Sequence, residues 1–308
     1  MRHCFLEIPL GDPEVGLVGV RHQCGEGGVV PGVDDRGRVL QRPEIVLDVA
    51  EPLLGRPDLF RFQEWAREFD LFTANGDLPQ LSLVRLPHDH TGNFTSAQLG
   101  VNTPDTQLAD NDYAVGLLVE KVARSKYAKN TLIFVIEDDA QNGPDHVDAH
   151  RSLALIAGPY VKQRALISKR FNTVVLLRTM EEVLGIKPLG LNDALQPPMS
   201  EVFSTQQATW NYKARVPAIL RSTKLPLPPA TAEDGHGALG SSHDAVYWAG
   251  KTKDFDFSAE DKLDSESFNM VLWKGLKGES QPYPSERNGR DLSKHREKLL
   301  RDLRKSKN

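Results

Sequence analysis

The sequence is poor in cysteine and has no long apolar run. Cys4 and Cys24 are its only cysteines, too few for a disulfide scaffold or a thiolate zinc site, although the two could pair with each other. No apolar stretch approaches the roughly 18–20 residues that a membrane-spanning helix requires. We expect no secretion signal, because no charged start precedes an apolar stretch at the amino terminus. The formal net charge of −4 disfavours a dedicated nucleic-acid-binding protein, which is usually basic.

Serine, threonine, asparagine, lysine and tyrosine are all absent from residues 1–57, which hold nine glycines and nine valines. Helix caps and turns depend on Ser, Thr and Asn, so this segment is poorly equipped to begin and end regular elements. Two interpretations stay open: an unusual Gly/Val-rich lead-in, or a stretch not selected as protein, such as an out-of-frame read. In either case we expect residues 1–57 to contribute little regular packing and to lie outside the core.

Helical and extended apolar patterns alternate over the next part of the chain. Three stretches have the apolar spacing of helices: 60–72, 105–125 and 173–184. Asn172 is a plausible cap and Gly185 a terminator for the last of them. Two apolar runs, Thr131–Ile136 and Leu153–Ala157, and the stretch Leu81–Leu86 before Pro87 predict short strands. This alternation is typical of an α/β fold with a largely parallel sheet.

Composition divides the chain after residue 57 into two parts. Residues 58–222 have the α/β pattern, and residues 223–308 begin as a Pro-, Gly- and Ala-rich linker that leads into a carboxyl-terminal extension. Its last part, 286–308, carries nine Lys/Arg against four Asp/Glu. We interpret this basic tail as a charged helix or a solvated end, and a tail that binds a partner is the alternative.

The densest chemistry lies in residues 137–150, which hold five acids and two histidines directly after an apolar run. Open α/β sheets bind ligands at the carboxyl ends of their strands. Crowded carboxylates repel one another unless a cation lies between them. Asp and His together suit zinc, manganese or iron, and carboxylates alone suit calcium or magnesium. The alternative is a set of turns in which Asp side chains accept backbone N–H groups.

A second polar cluster, His88-Asp89-His90-Thr91, follows the predicted strand Leu81–Leu86. Parallel strands end at the same edge of a sheet, so both clusters could converge on one crevice. Asp110 and Asp112 are interpreted differently. They lie in the early turns of a predicted helix, where the helix dipole favours anions. We expect them to have only this electrostatic role.

Four motifs together resemble the phosphoesterase branch of the alkaline phosphatase superfamily: 85–91, 108–112, 133–151 and 177–180. The likeness is strongest to proteins that join a YncE-like β-propeller to such a domain, and it covers about residues 60–204, with a weaker match over 255–284. It implies a doubly wound α/β domain, hydrolysis of phosphate esters at a divalent metal ion (zinc, manganese or calcium), and an extracytoplasmic or periplasmic location.

The resemblance also implies roles for individual residues. Asp138 and Asp139 match an adjacent acidic pair that holds metal, and His90 matches a histidine of the phosphate site. The full set of candidates comprises His90 and His146 as catalytic groups, Asp138, Asp139, Asp145 and His150 as metal ligands, and His88, Asp89 and Thr91 as substrate-binding residues.

The hydroxyl nucleophile of this superfamily has no counterpart in the matched residues. It lies in an amino-terminal half that precedes them, and this chain has no Ser, Thr or Asn before Thr73. The sequence therefore resembles the carboxyl-terminal half of a phosphoesterase. We expect it to need a missing amino-terminal half or a companion chain, and the nucleophile stays unknown. The alternative is a non-catalytic remnant or a metal- or phosphate-binding module of the same fold.

Overall fold

The computed structural model describes residues 3–9, 55–137, 152–237, 240–257 and 262–283. They form a mixed α/β structure, which confirms the predicted class. The strands are β1 His3–Pro9, β2 Leu83–Leu86, β3 Thr131–Glu137 and β4 Ala154–Ala157. The helices are α1 Asp58–Asn75, α2 Pro104–Ala123, α3 Thr173–Leu184, α4 Leu191–Ala194, α5 Ala245–Lys251 and α6 Ser265–Lys277.

The four strands form one sheet in the order β2-β1-β3-β4, and each of the three pairings is antiparallel. These pairings do not show the largely parallel, doubly wound sheet expected from the sequence. The difference arises because β1 lies between β2 and β3. Since both are antiparallel to β1, β2 and β3 run in the same direction and are joined through helix α2.

Strand β1 comes from the segment that was expected to lie outside the core. It pairs with β2 on one side and with β3 on the other. A strand satisfies its backbone N–H and C=O groups through its neighbours and needs no capping side chain. The shortage of Ser, Thr and Asn therefore does not prevent a strand here. The expectation of little regular packing is wrong for His3–Pro9, and residues 10–54 lie outside the described part of the chain.

Helices cover both faces of β3. Ile133 and Val135 pack in one cluster with residues of α1 and α2, and Leu132 and Phe134 pack in another with residues of α3. Successive residues of a strand point to opposite faces, which explains why the apolar run of β3 is continuous. The prediction of a strand covered on both faces is confirmed.

Helix α3 has the cap and the terminator that the sequence predicts, whereas α1 has no side-chain cap at its start. Asn172 accepts the backbone N–H of Val175, and Gly185 ends α3 in the left-handed region at φ 66°, as predicted. Helix α1 instead follows Pro57, which supplies no side-chain cap. Its first backbone N–H groups must find acceptors elsewhere.

The part of the chain after residue 222 packs back onto the α/β layers. The ring of Phe94, in the loop that precedes α2, lies 5.8 Å from that of Trp248 in α5 and 6.2 Å from that of Phe257. Trp248 in turn lies against Gly275 of α6. The predicted extension thus contacts the loop between β2 and α2. Within the described ranges, no helix has both the length and the apolarity to cross a membrane.

Candidate functional site

Strands β2 and β3 end level with each other at one edge of the sheet. Leu86, the last residue of β2, and Glu137, the last of β3, are both paired with His3 of β1. Two strand spacings separate them, about 10 Å. Ser152 donates its hydroxyl to the backbone carbonyl of Glu137. The acidic segment 138–151 therefore leaves and rejoins the described chain at the edge where the loop after β2 begins.

The loop after β2 is buried although it is polar. Residues 88–90 form one turn of 3-10 helix, in which the backbone N–H of His90 donates to Pro87 at 3.0 Å. The side chains of the whole cluster are at most 8% exposed: His88, Asp89, His90 and Thr91. Burying polar groups costs free energy unless they are hydrogen-bonded, so the surroundings of this loop must supply partners.

Asp58, the first residue of α1, supplies one set of partners. Its carboxylate accepts hydrogen bonds from the backbone N–H of His88 at 2.9 Å, from the Asn111 amide at 2.9 Å and from the Arg61 guanidinium at 3.0 Å. Asn111 also donates to the carbonyl of Leu86 at 2.7 Å. The end of β2 and the start of the loop are thereby fastened to both α1 and α2.

Asp110 of α2 supplies the second set. Its carboxylate accepts the backbone N–H groups of Asp58 at 2.5 Å and Leu59 at 3.2 Å, so it caps α1 in place of Pro57. It also lies 2.6 Å from Nδ1 of His88. This distance favours the forms of His88 that carry a proton on Nδ1, which then donates to the carboxylate.

The electrostatics of this cluster follow from its burial. Asp58, Asp110 and the ring of His88 are fully buried. Burial raises the pKa of the Asp58 carboxyl, and the charges of Arg61 and His88 act in the opposite direction. N–H donors occupy both oxygens of each carboxylate. We conclude that these acids hold the loop in place rather than bind a cation.

The structure brings together the four candidates in residues 88–91 but describes none of the candidates in the acidic segment. The described candidates lie at the edge where β2 and β3 end: His88, Asp89, His90 and Thr91. The ring of His88 is hydrogen-bonded to Asp110. The other five candidates lie outside the described residues: Asp138, Asp139, Asp145, His146 and His150. In the part of the chain that the structure describes, no group of three or more His, Cys, Asp or Glu is arranged to hold a metal ion.

Sequence reasoning missed the anchoring residues. Asp110 was predicted to interact only with the helix dipole, and that prediction is wrong. It is buried and hydrogen-bonded to the N–H groups of Asp58 and Leu59 and to the ring of His88. Asp112 is exposed. A usable signal was the polar set Gln107, Asp110 and Asn111, spaced by three and four residues on the same side of a helix.

Comparisons with protein-family models, with curated proteins and with solved structures give no match to this chain.

Proposed function

We propose that this chain forms part of a metal-dependent hydrolase of phosphate esters, as its motifs imply. One structural observation carries the proposal. The buried His-Asp-His-Thr loop and both ends of the acidic segment lie at one edge of the sheet, through Leu86, Glu137 and Ser152. Two clusters far apart in sequence can then contribute to one site. The layering of helices on both faces of β3 supports the finer proposal of a doubly wound fold.

The proposed metal ligands suit a divalent cation in their chemistry. Three carboxylates and one imidazole are a donor set that zinc or manganese accepts, and the carboxylates alone also suit calcium: Asp138, Asp139, Asp145 and His150. When bound, such an ion lowers the pKa of an attacking group and neutralises developing negative charge.

The chain's own residues have separate proposed roles. His90 or His146 donates a proton to the leaving alkoxide, a role that suits the near-neutral pKa of imidazole. Asp89 and Thr91 contact the substrate beside His90, and His88 holds the loop through Asp110 and Asp58. The nucleophile stays unassigned.

Turnover of an aryl phosphate with added zinc, manganese or calcium tests this proposal. We expect Asp138→Asn to abolish turnover, because an amide replaces an anionic ligand. The matched control is Asp112→Asn, an exposed aspartate, which should keep wild-type turnover. Unchanged turnover in Asp138→Asn would show that the site is assigned to the wrong residues.

A second candidate function is a non-catalytic module that binds metal or phosphate. The given residues hold no Ser, Thr or Asn before Thr73 and so show no counterpart of the superfamily's nucleophile there, which favours this candidate. It predicts that calorimetry detects binding of zinc or inorganic phosphate, lost in Asp138→Asn, while turnover is absent. Turnover by the isolated chain would exclude it.

A further inference from the structure

The Gln107 side chain of α2 holds the far end of the polar loop by both of its amide atoms. Its Oε1 accepts the backbone N–H of Gly92 at 2.9 Å, and its Nε2 donates to the carbonyl of the same residue at 2.8 Å. Gln107 is fully buried. A side chain that binds both the N–H and the C=O of one residue fixes the direction of the backbone there.

Three side chains of α2 together fasten the segment from Leu86 to Gly92. Asn111 holds its first residue, Asp110 holds the ring of His88, and Gln107 holds its last residue. They are spaced by three and four positions and therefore share one face of the helix. The three residues between His88 and Gly92 are all proposed site residues: Asp89, His90 and Thr91.

We infer that Gln107 is a positioning residue, which holds His90 and Thr91 in place by clamping Gly92. Its effect on catalysis rests on the proposed function, but its effect on His90 does not. A displacement of about 1 Å in a reacting group can lower a rate by about 100-fold. Losing the clamp should therefore reduce kcat more than it weakens substrate binding.

A matched pair of variants tests this inference. Gln107→Ala removes the clamp. Gln163→Ala is the control at an exposed glutamine, which donates to the carbonyls of Gly158 and Val161 in the loop after β4. Strand β4 is antiparallel to β3, so that loop leaves the sheet at the opposite edge. For aryl phosphate hydrolysis we expect kcat to fall by about tenfold or more in Gln107→Ala, with KM within about twofold, and both to stay unchanged in Gln163→Ala.

Gln107→Glu keeps the size of the side chain and makes the clamp depend on pH. The ionised carboxylate accepts the N–H of Gly92 but repels its carbonyl, whereas the protonated carboxyl can donate to that carbonyl. The kcat of this variant relative to wild type should therefore rise as the pH falls. A ratio that is independent of pH, with kcat equal to that of Gln163→Ala, overturns the inference.

The NMR signal of the His90 imidazole separates failure of this inference from failure of the proposed function. If the wild-type chain shows no turnover with added metal, the proposed function fails and the signal alone decides. A shift in Gln107→Ala and Gln107→Glu, but not in Gln163→Ala, supports the clamp. An unshifted signal in both Gln107 variants contradicts it.

Discussion

Two pairs of buried acids belong to helices on opposite faces of the sheet. Asp58 and Asp110, of α1 and α2, are surrounded by N–H donors and lie beside a histidine and an arginine. Glu181 and Asp193, of α3 and α4, hydrogen-bond to each other. The first pair is thus stabilised by hydrogen bonds from other groups, whereas the two members of the second pair are hydrogen-bonded to each other. Only the first is fastened to the loop that carries site candidates.

The proton of the second pair can be assigned from the directions of the two pKa shifts. Burial raises the pKa of the Glu181 carboxyl, and its hydrogen bond to Asp193 raises it further. Burial also acts to raise the pKa of Asp193, but hydrogen bonds from the Gly190 backbone and from Glu181 outweigh it and lower that pKa. These directions predict that the first proton taken up by the pair resides on Glu181, which then donates to the Asp193 carboxylate.

The largest effect on stability should come from removing Asp110, one member of the first pair. Asp110→Ala leaves the N–H groups of Asp58 and Leu59 and the ring of His88 without their acceptor. We expect it to lower the free energy of unfolding by about 3 kcal/mol or more, because each buried donor left unsatisfied costs about 1–3 kcal/mol. Urea unfolding measures this loss. Asp112→Ala, on the exposed side of the same helix, should change it by about 0.5 kcal/mol or less. Equal losses in the two variants would refute the anchoring role.

A smaller effect tests whether α5 and α6 unfold together with the part of the chain that contains Asp58 and Asp110. A Cβ on Gly275 would clash with the Trp248 ring, whereas one on Gly250 meets nothing within 4 Å. Gly275→Ala should destabilise by about 1–3 kcal/mol through overpacking, and Gly250→Ala should stabilise by about 0.5–1 kcal/mol as an alanine within a helix. Because Trp248 contacts Phe94, we expect a single unfolding transition to shift. A separate early transition in Gly275→Ala would show that the extension folds independently.

The second pair should produce a pH dependence rather than a large loss of stability. A raised pKa in the folded state means that this contribution is present at acid pH and is lost as the pH rises through the folded pKa of Glu181. Glu181→Gln still donates to Asp193 but does not titrate. Its stability relative to wild type should therefore increase with rising pH in urea unfolding series. Glu182→Gln, the exposed neighbour, should show no such trend, and parallel curves for both variants would place the proton elsewhere.

Local structure was predictable where the deciding signals lie close together in sequence. The span of α3, its cap Asn172 and its terminator Gly185 follow from adjacent residues. The apolar run of β3 likewise indicates a strand covered on both faces. Strand β1 was not predictable in this way, because its partners lie more than 70 residues away and its sequence lacks the usual punctuation.

The anchoring of the site was beyond sequence reasoning for the same reason. Asp110 and Asp58 are 52 positions apart, as their hydrogen bond shows, and neither residue signals that one caps the helix of the other. An acid early in a helix ordinarily favours the helix dipole. The fold shows that Pro57 supplies no side-chain cap to α1 and that Asp110 accepts the first N–H groups of that helix instead. The buried loop 88–91 was located by its composition, but the side chains that fix it were not.

The central claim is that the loop after β2 and the acidic segment after β3 form one metal-binding site. Paramagnetic broadening by Mn²⁺ tests it directly, with the ring signals of His90 and Tyr160 as probes. Tyr160 follows β4 and lies toward the opposite edge of the sheet. We predict that stoichiometric Mn²⁺ broadens the His90 signal, leaves that of Tyr160 sharp, and loses its effect in Asp138→Asn. Bound Mn²⁺ that leaves His90 as sharp as Tyr160 would contradict the claim.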